Sequence, residues 1–224
     1  MSVNRIIAGL ALCAASLAHA QTPATPDGLI RQLSVEVIDT VKSDKAIQAG
    51  DLNKIISLVD SKVMPHVNFQ RMTASAVGRH WRGATPEQQK KLQDEFKTLL
   101  VRTYAGALTQ VKDQSVQLKP LRAAAEDTEV VVRTEIKGKG EPIQLDYRLE
   151  KADAGWKIYD VNVLGVWLVQ NYTSSFAQEI GANGIDGLID GNEPLSADEL
   201  NRIHAAGIGG PVVDFGFAHD YIHY

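Results

Sequence analysis

Few side chains in this sequence stand at spacings that do chemistry. There is no G-x-S-x-G elbow and no H-E-x-x-H pair, and the single thiol, Cys13, falls in an N-terminal apolar stretch. His219 and His223 are four apart, a spacing that lets two imidazoles meet on one helix face around zinc, with Asp220 beside them. Two such ligands on a glycine-rich tail fall short of a zinc ligand set. His66 and His80 stand alone in helical or turn contexts, as surface or partly buried rings do. Asp160 is the candidate general base if a sheet encloses a polar pocket, with Tyr159 or Tyr147 as proton partners. Nothing in the sequence brings those three together.

The elements that must position any site are easier to read. Ile30, Leu33, Val37 and Val41 recur at helical spacing up to about Lys45. Asp51 caps a second helix with Leu52, Ile55, Ile56 and Val59 facing inward, and Pro65 ends or kinks the chain beyond Val63. A third helix is expected over 69–81. Thr85-Pro86-Glu87-Gln88 then combines an N-cap, a first-turn proline and a capping-box partner. Behind it Leu92, Phe96, Leu99, Leu100, Thr103, Ala107 and Val111 form one stripe, with Tyr104 and Leu108 at its margin.

From Ser115 the period falls to two. Val116 and Leu118, then Val130, Val132, Thr134 and Ile136, then Ile143, Leu145, Tyr147 and Leu149 each alternate with polar neighbours. A fourth strand runs from Trp156 to about Val166, with Tyr159, Val161 and Val163 on one face and Trp156, Ile158, Asp160 and Asn162 on the other. Lys137-Gly138-Lys139-Gly140 and Ala152-Asp153-Ala154-Gly155 fit hairpin connections. Leu168, Tyr172, Phe176 and Ile180 resume helical spacing, closing near 181–187. The expected architecture is α+β, a four-stranded antiparallel sheet with helices packed on one face. Each apolar side chain on those faces reads either as core or as the wall of an open cavity, and composition does not separate the two.

Composition bounds the rest. With 44% hydrophobic and 22% charged residues the chain is globular rather than disordered or fibrous. Residues 1–20 read as a secretory signal, with Arg5 at the positive end, an apolar stretch over 6–18, and Ala18-His19-Ala20 as the cleavage site before Gln21. Cys13 follows Leu12, where a lipid-anchoring site wants a small residue. Removing the signal leaves 22 basic against 27 acidic residues, a net charge of −5, and no cysteine. A soluble, exported, disulfide-free domain is expected, and its acidic balance argues against nucleic acid or adsorption to an anionic membrane.

Two stretches resemble the MlaC family, the periplasmic auxiliary component of phospholipid transport also known for toluene tolerance. The first runs Val67-Asn68-Phe69-Gln70-Arg71-Met72-Thr73, through Gly78-Arg79-His80-Trp81-Arg82 and the Thr85 box, to Thr103-Tyr104. The second comprises Tyr159-Asp160-Val161, Gly165-Val166, Asn171-Tyr172, Phe176 and Gly184-Ile185-Asp186-Gly187-Leu188. Leu164 and Trp167 depart from the family, which usually has an acidic and a small polar residue there; Thr173 stands where a basic residue is common.

The resemblance implies a phospholipid-binding domain over 21–190, followed by an extension, 191–224, that resembles nothing. It implies an apolar cavity for acyl chains, with Tyr104, Ile143 and Val166 at family cavity positions. Facing direction adds Phe96, Leu100, Leu145, Tyr147, Val161 and Val163. No cofactor is implied beyond phospholipid as cargo. The implied partners are an inner-membrane ABC transporter carrying a lipid-binding ring and an outer-membrane lipoprotein-porin complex, served by a monomer in the periplasm. An enzyme or small-ligand binder built around Asp160 remains the alternative.

Overall fold

Side chains that accept orphan backbone N–H groups set most of the helix starts. The computed structural model describes residues 25–139 and 141–191. The expected signal segment, its cleavage site, His219, His223 and the tail beyond Gly191 lie outside them. Thr25 caps α1 (Pro26–Ser43), Asp44 caps the single turn α2 (Lys45–Gln48) and Asp51 caps α3 (Leu52–Leu58). The Asp44 cap stops the first helix short of Lys45 and opens a turn too brief for periodicity to reveal. A π turn, Val59–Val63, and a 3-10 turn, Met64–His66, lead to Asn68, which caps α4 (Phe69–Val77). Gly78, at φ 63°, ends that helix, so the expected 69–81 helix divides into α4 and a 3-10 segment, Gly78–Gly83. The Thr85 and Gln88 side chains then cap each other's backbone amides at the start of α5 (Pro86–Thr109).

The sheet has five strands rather than four: β1 (Ser115–Leu118), β2 (Glu129–Lys137), β3 (Ile143–Ala152), β4 (Gly155–Val163) and β5 (Val166–Trp167). They lie in sequence order, every neighbour antiparallel. The extra strand arises because Leu164 (φ 49°) and Gly165 (φ 93°) reverse the chain, setting Val163 opposite Val166. A two-residue loop with both central residues at positive φ favours Asn-Gly; leucine in the left-handed region costs ~1–2 kcal/mol. α6 (Leu168–Asp190) comes directly after, broken at Gly184, where φ is 74°.

A second correction concerns β4. Arg148 pairs with Asp160 but Leu149 pairs with Ile158, so Tyr159 is an extra, unpaired residue in a β-bulge. The bulge shifts the alternation by one. Trp156 and Ile158 therefore share the inward face with Val161 and Val163, while Tyr159 and Asp160 both lie on the outward side, where Tyr159 bonds Glu129 and Asp160 bonds Arg148. Strict alternation across the bulge would have turned Val161 and Val163 outward.

The apolar core is divided into three. Leu29, Ile30 and Leu33 of α1 pack on Val130, Val132, Leu149, Trp156 and Ile158 of the sheet. α4, α5 and α6 build a second cluster around Phe96, whose ring lies edge-on to Tyr172 and Phe176 at 5.2 Å each and tilted against Phe69 at 5.7 Å. Val41, Ile47, Ile55, Leu58 and Val101 make a third among α1, α2, α3 and α5. α5 packs against α2, α3, α4 and α6, and has at most marginal contact with the sheet among the described residues. No helix among the described residues is long and apolar enough to cross a membrane.

Candidate functional site

The inward face of the sheet changes character along its strands. Where α1 covers it, Val132, Thr134 and Leu149 are sealed. Further along, Ile136, Ile143, Leu145, Tyr147 and Val161 are half-buried, as is Val166 on β5. Register places Leu145 between Thr134 and Val163, and Tyr147 between Val132 and Val161, so these residues form one surface. Val163 is buried at the end of β4. Ile143, Leu145, Val163, Val166 and Tyr104 belong to none of the three packed clusters among the described residues. Tyr147 leans on the α1 cluster, Leu100 on the Phe96 cluster, and Val161 touches both.

Of the nine expected wall residues, Val163 and Phe96 are buried, and of these Phe96 is packed into a cluster. Phe96 is 1% exposed and forms the centre of the aromatic cluster, so its present role is packing. Sequence periodicity could not separate it from Leu100 and Tyr104, because all three follow the same helical stripe. The stripe also hides a partner: Tyr172 of α6 packs edge-on to Phe96, and nothing in their separate helices announces the contact.

The tyrosines carry hydroxyls into this apolar region without carrying charge. Burial pushes the Tyr104 phenol far above its ordinary value, and Tyr172 adds to the shift. Burial likewise raises Tyr147, to about 12, against the opposing pull of the Thr134 and Ser34 hydroxyls. Tyr172 is raised for the same reason, opposed by Thr103. All three stay protonated at neutral pH. Tyr147 keeps some accessible surface on the inward face of the sheet.

The outward face is a different chemical surface. A cavity of about 720 Å³ there is lined by Lys119, Arg122, Glu129, Arg133, Arg148 and Tyr159, with Pro120, Val130 and Val131. Its lining is dominated by charged side chains, which suits water and ions rather than hydrocarbon. Beside it Arg71 of α4 pairs with Glu150 of β3, reaches Glu129 of β2 at 2.7 Å and stacks 3.6 Å from the Tyr159 ring centre. Asn68 also donates to Glu150, while Val67 bridges to Ile158 at the β4 edge. The Val67-to-Thr73 stretch therefore rivets a helix to the sheet.

Asp160, the candidate base, is fully engaged. Its Oδ1 accepts from the Val161 amide at 2.9 Å and from the Val169 amide in the first turn of α6 at 3.1 Å. Its Oδ2 accepts from Arg148 at 2.9 Å, and that guanidinium stacks 3.8 Å from the Trp167 ring centre. Burial raises the Asp160 pKa, with the Val169 amide and Arg148 opposing the shift. Tyr159 bonds Glu129 instead of Asp160, and Tyr147 lies on the opposite face. The proton partners expected for Asp160 are thus not assembled beside it.

The comparisons with known proteins agree with this geometry. The family model described as MlaC protein matches residues 31–191. The Haemophilus influenzae intermembrane phospholipid transport system binding protein MlaC is 24% identical over 169 residues, 74% of this chain and 79% of that one. The Pseudomonas putida toluene tolerance protein ttg2D is 25% identical over 170 residues, 75% of this chain and 79% of that one. Among solved structures, the phospholipid-binding protein from Ralstonia solanacearum, determined in complex with a phospholipid, superposes with a TM-score of 0.71. It is 44% identical, and the match covers 78% of this chain and 96% of that one. By its residues, its element order and a family match across the described domain, this chain belongs to the MlaC family.

Proposed function

We propose that this protein is a periplasmic phospholipid carrier. The observation that supports it most directly is the apolar run of Ile143, Leu145, Val163 and Val166 on the inward sheet face, which, like Tyr104 of α5, belongs to none of the three packed clusters, with Tyr147 and Val161 at its margin. The phospholipid bound by the 44% identical relative supports a phospholipid as the occupant. On this reading the sheet and α5 are held apart by their separate packing partners, and acyl chains fill the space between. The headgroup stays near water.

The physical need is large. At about 0.8 kcal/mol per methylene, two chains of roughly thirty methylenes avoid on the order of 24 kcal/mol of hydration by staying covered. A carrier lowers that barrier with a dry slot and needs no catalytic group. Because lipid passes between apolar surroundings, loading is nearly balanced, and direction comes from whichever partner binds one state better. The partners proposed are an outer-membrane lipoprotein-porin complex and an inner-membrane ABC transporter with a lipid-binding ring, visited by a monomer that maintains outer-membrane lipid asymmetry.

Native mass spectrometry of protein purified without detergent tests the reading. Wild type is expected to carry phospholipid, whereas Ile143→Arg and Val166→Arg are expected to be folded by circular dichroism and empty. Wild-type protein that carries no lipid and takes up none from vesicles overturns the carrier. Both variants holding lipid at wild-type stoichiometry overturn the wall assignment.

A further inference from the structure

The tip of the β4–β5 hairpin joins two features that disfavour leucine. Leu164 adopts φ 49°, in the left-handed region that suits glycine, asparagine or aspartate. It is also 38% exposed, and Val35 on α1 is the other large hydrophobic residue exposed among the described residues. Exposure alone is ordinary in a leucine, but exposure combined with backbone strain marks a side chain retained against local preference.

Its position supplies the reason. The Leu164 amide donates to the Gln144 carbonyl at 3.0 Å, which pins the tip over the first residues of β3, beside Ile143. Val163 and Val166 flank the turn and pair with each other. Leu164 therefore stands at the tip of the hairpin that ends the unpacked part of the sheet, between Val163 and Val166.

We infer that Leu164 is the doorstep over which an acyl chain passes on its way into and out of the protein. The inference rests on the phospholipid-carrier reading. A chain crossing this tip exposes methylenes to water until it meets the next apolar surface. An apolar side chain on the tip shortens that wetted stretch in the transition state. It contributes little once the lipid is seated, so it governs the rate of exchange rather than occupancy.

The experiment uses full-length processed protein loaded with a fluorescent phospholipid, mixed with vesicles of phosphatidylethanolamine and phosphatidylglycerol. Leu164→Asn is expected to raise the melting temperature by about 2–4 °C through relief of strain. It should leave lipid stoichiometry unchanged and slow exchange roughly threefold to tenfold. Leu164→Met, equally strained and still apolar, is expected to exchange at the wild-type rate. Wild-type exchange in Leu164→Asn overturns the inference, as does a Leu164→Met variant slowed as much as Leu164→Asn, or a loss of stoichiometry that parallels the loss of rate. Failure of the carrier reading is distinguishable, because wild type itself would then neither hold nor exchange lipid.

Discussion

Val132 and Leu149 lie on the same inward sheet face as Leu145, on the same two strands, yet the first two are closed under α1 and the third meets no packed cluster. Residue type does not explain the difference, since both regions are aliphatic and obey the same alternation. What stands opposite decides it. α1 lays Leu29, Ile30 and Leu33 on one region, while α5 is engaged by α2, α3, α4 and α6 and has at most marginal contact with the sheet among the described residues. A stretch of sheet face can thus stay outside the packed clusters without unusual residues on it, where a long helix is already committed elsewhere.

The sharpest way to break this comparison is a matched pair of truncations, read by urea unfolding of lipid-free protein. Leu149→Ala is expected to cost about 3 kcal/mol, because its neighbours cannot follow the deleted atoms. Leu145→Ala should cost under about 1 kcal/mol, having few packed neighbours to lose. Equal losses would show that both regions are ordinary core. The boundary between the regions can be tested next, at the bulge. Asp160→Ala, which leaves the Val169 amide and Arg148 without their acceptor, is expected to cost about 2 kcal/mol, and Asp160→Asn less.

The smallest effect lies on the outward side of the closed region. Glu129, bonded by Arg71, and Glu36, bonded by Gln32, have pKa values below the ordinary 4.5. Their contribution is complete above that value and drains away as pH falls through the lowered pKa. Asp160 runs the other way: its pKa is raised above 3.8 by burial, so protonation in the fold relieves a penalty as pH falls. Glu129 is exposed and screened, so Arg71→Ala is expected to flatten the acid limb of the melting-temperature profile by only about 1 °C. A larger change would mean that the rivet at Arg71 also holds the closed region shut.

Local signals were legible in the sequence and relational ones were not. The Thr85 box declares itself because every participant lies within one turn, and the strand alternation from Val116 to Leu149 is likewise written residue by residue. The bulge at Tyr159 exists only relative to the register of β3, so the sequence of β4 alone puts Ile158 and Val161 on opposite faces. The fifth strand is hidden for a different reason: Leu164 is a poor residue for the turn it makes. Alternation also places Ile143, Leu145 and Tyr147 together on one sheet face, as the register has them. Facing direction does not distinguish Phe96, locked among Phe69, Tyr172 and Phe176, from Leu100 and Tyr104 on the same stripe.

The Asp160 carboxylate has one further effect, on the order of assembly. Trp167, the residue before α6, offers no side-chain cap, and the first turn receives its acceptor from a strand instead. Helix nucleation is the expensive step, so a segment whose opening turn depends on a distant partner gains little by coiling early. α6 is therefore expected to consolidate only after the β3–β4 hairpin has set Asp160 in place, with the aromatic cluster around Phe96 closing afterwards; folding of Asp160→Ala no slower than that of wild type would overturn this order.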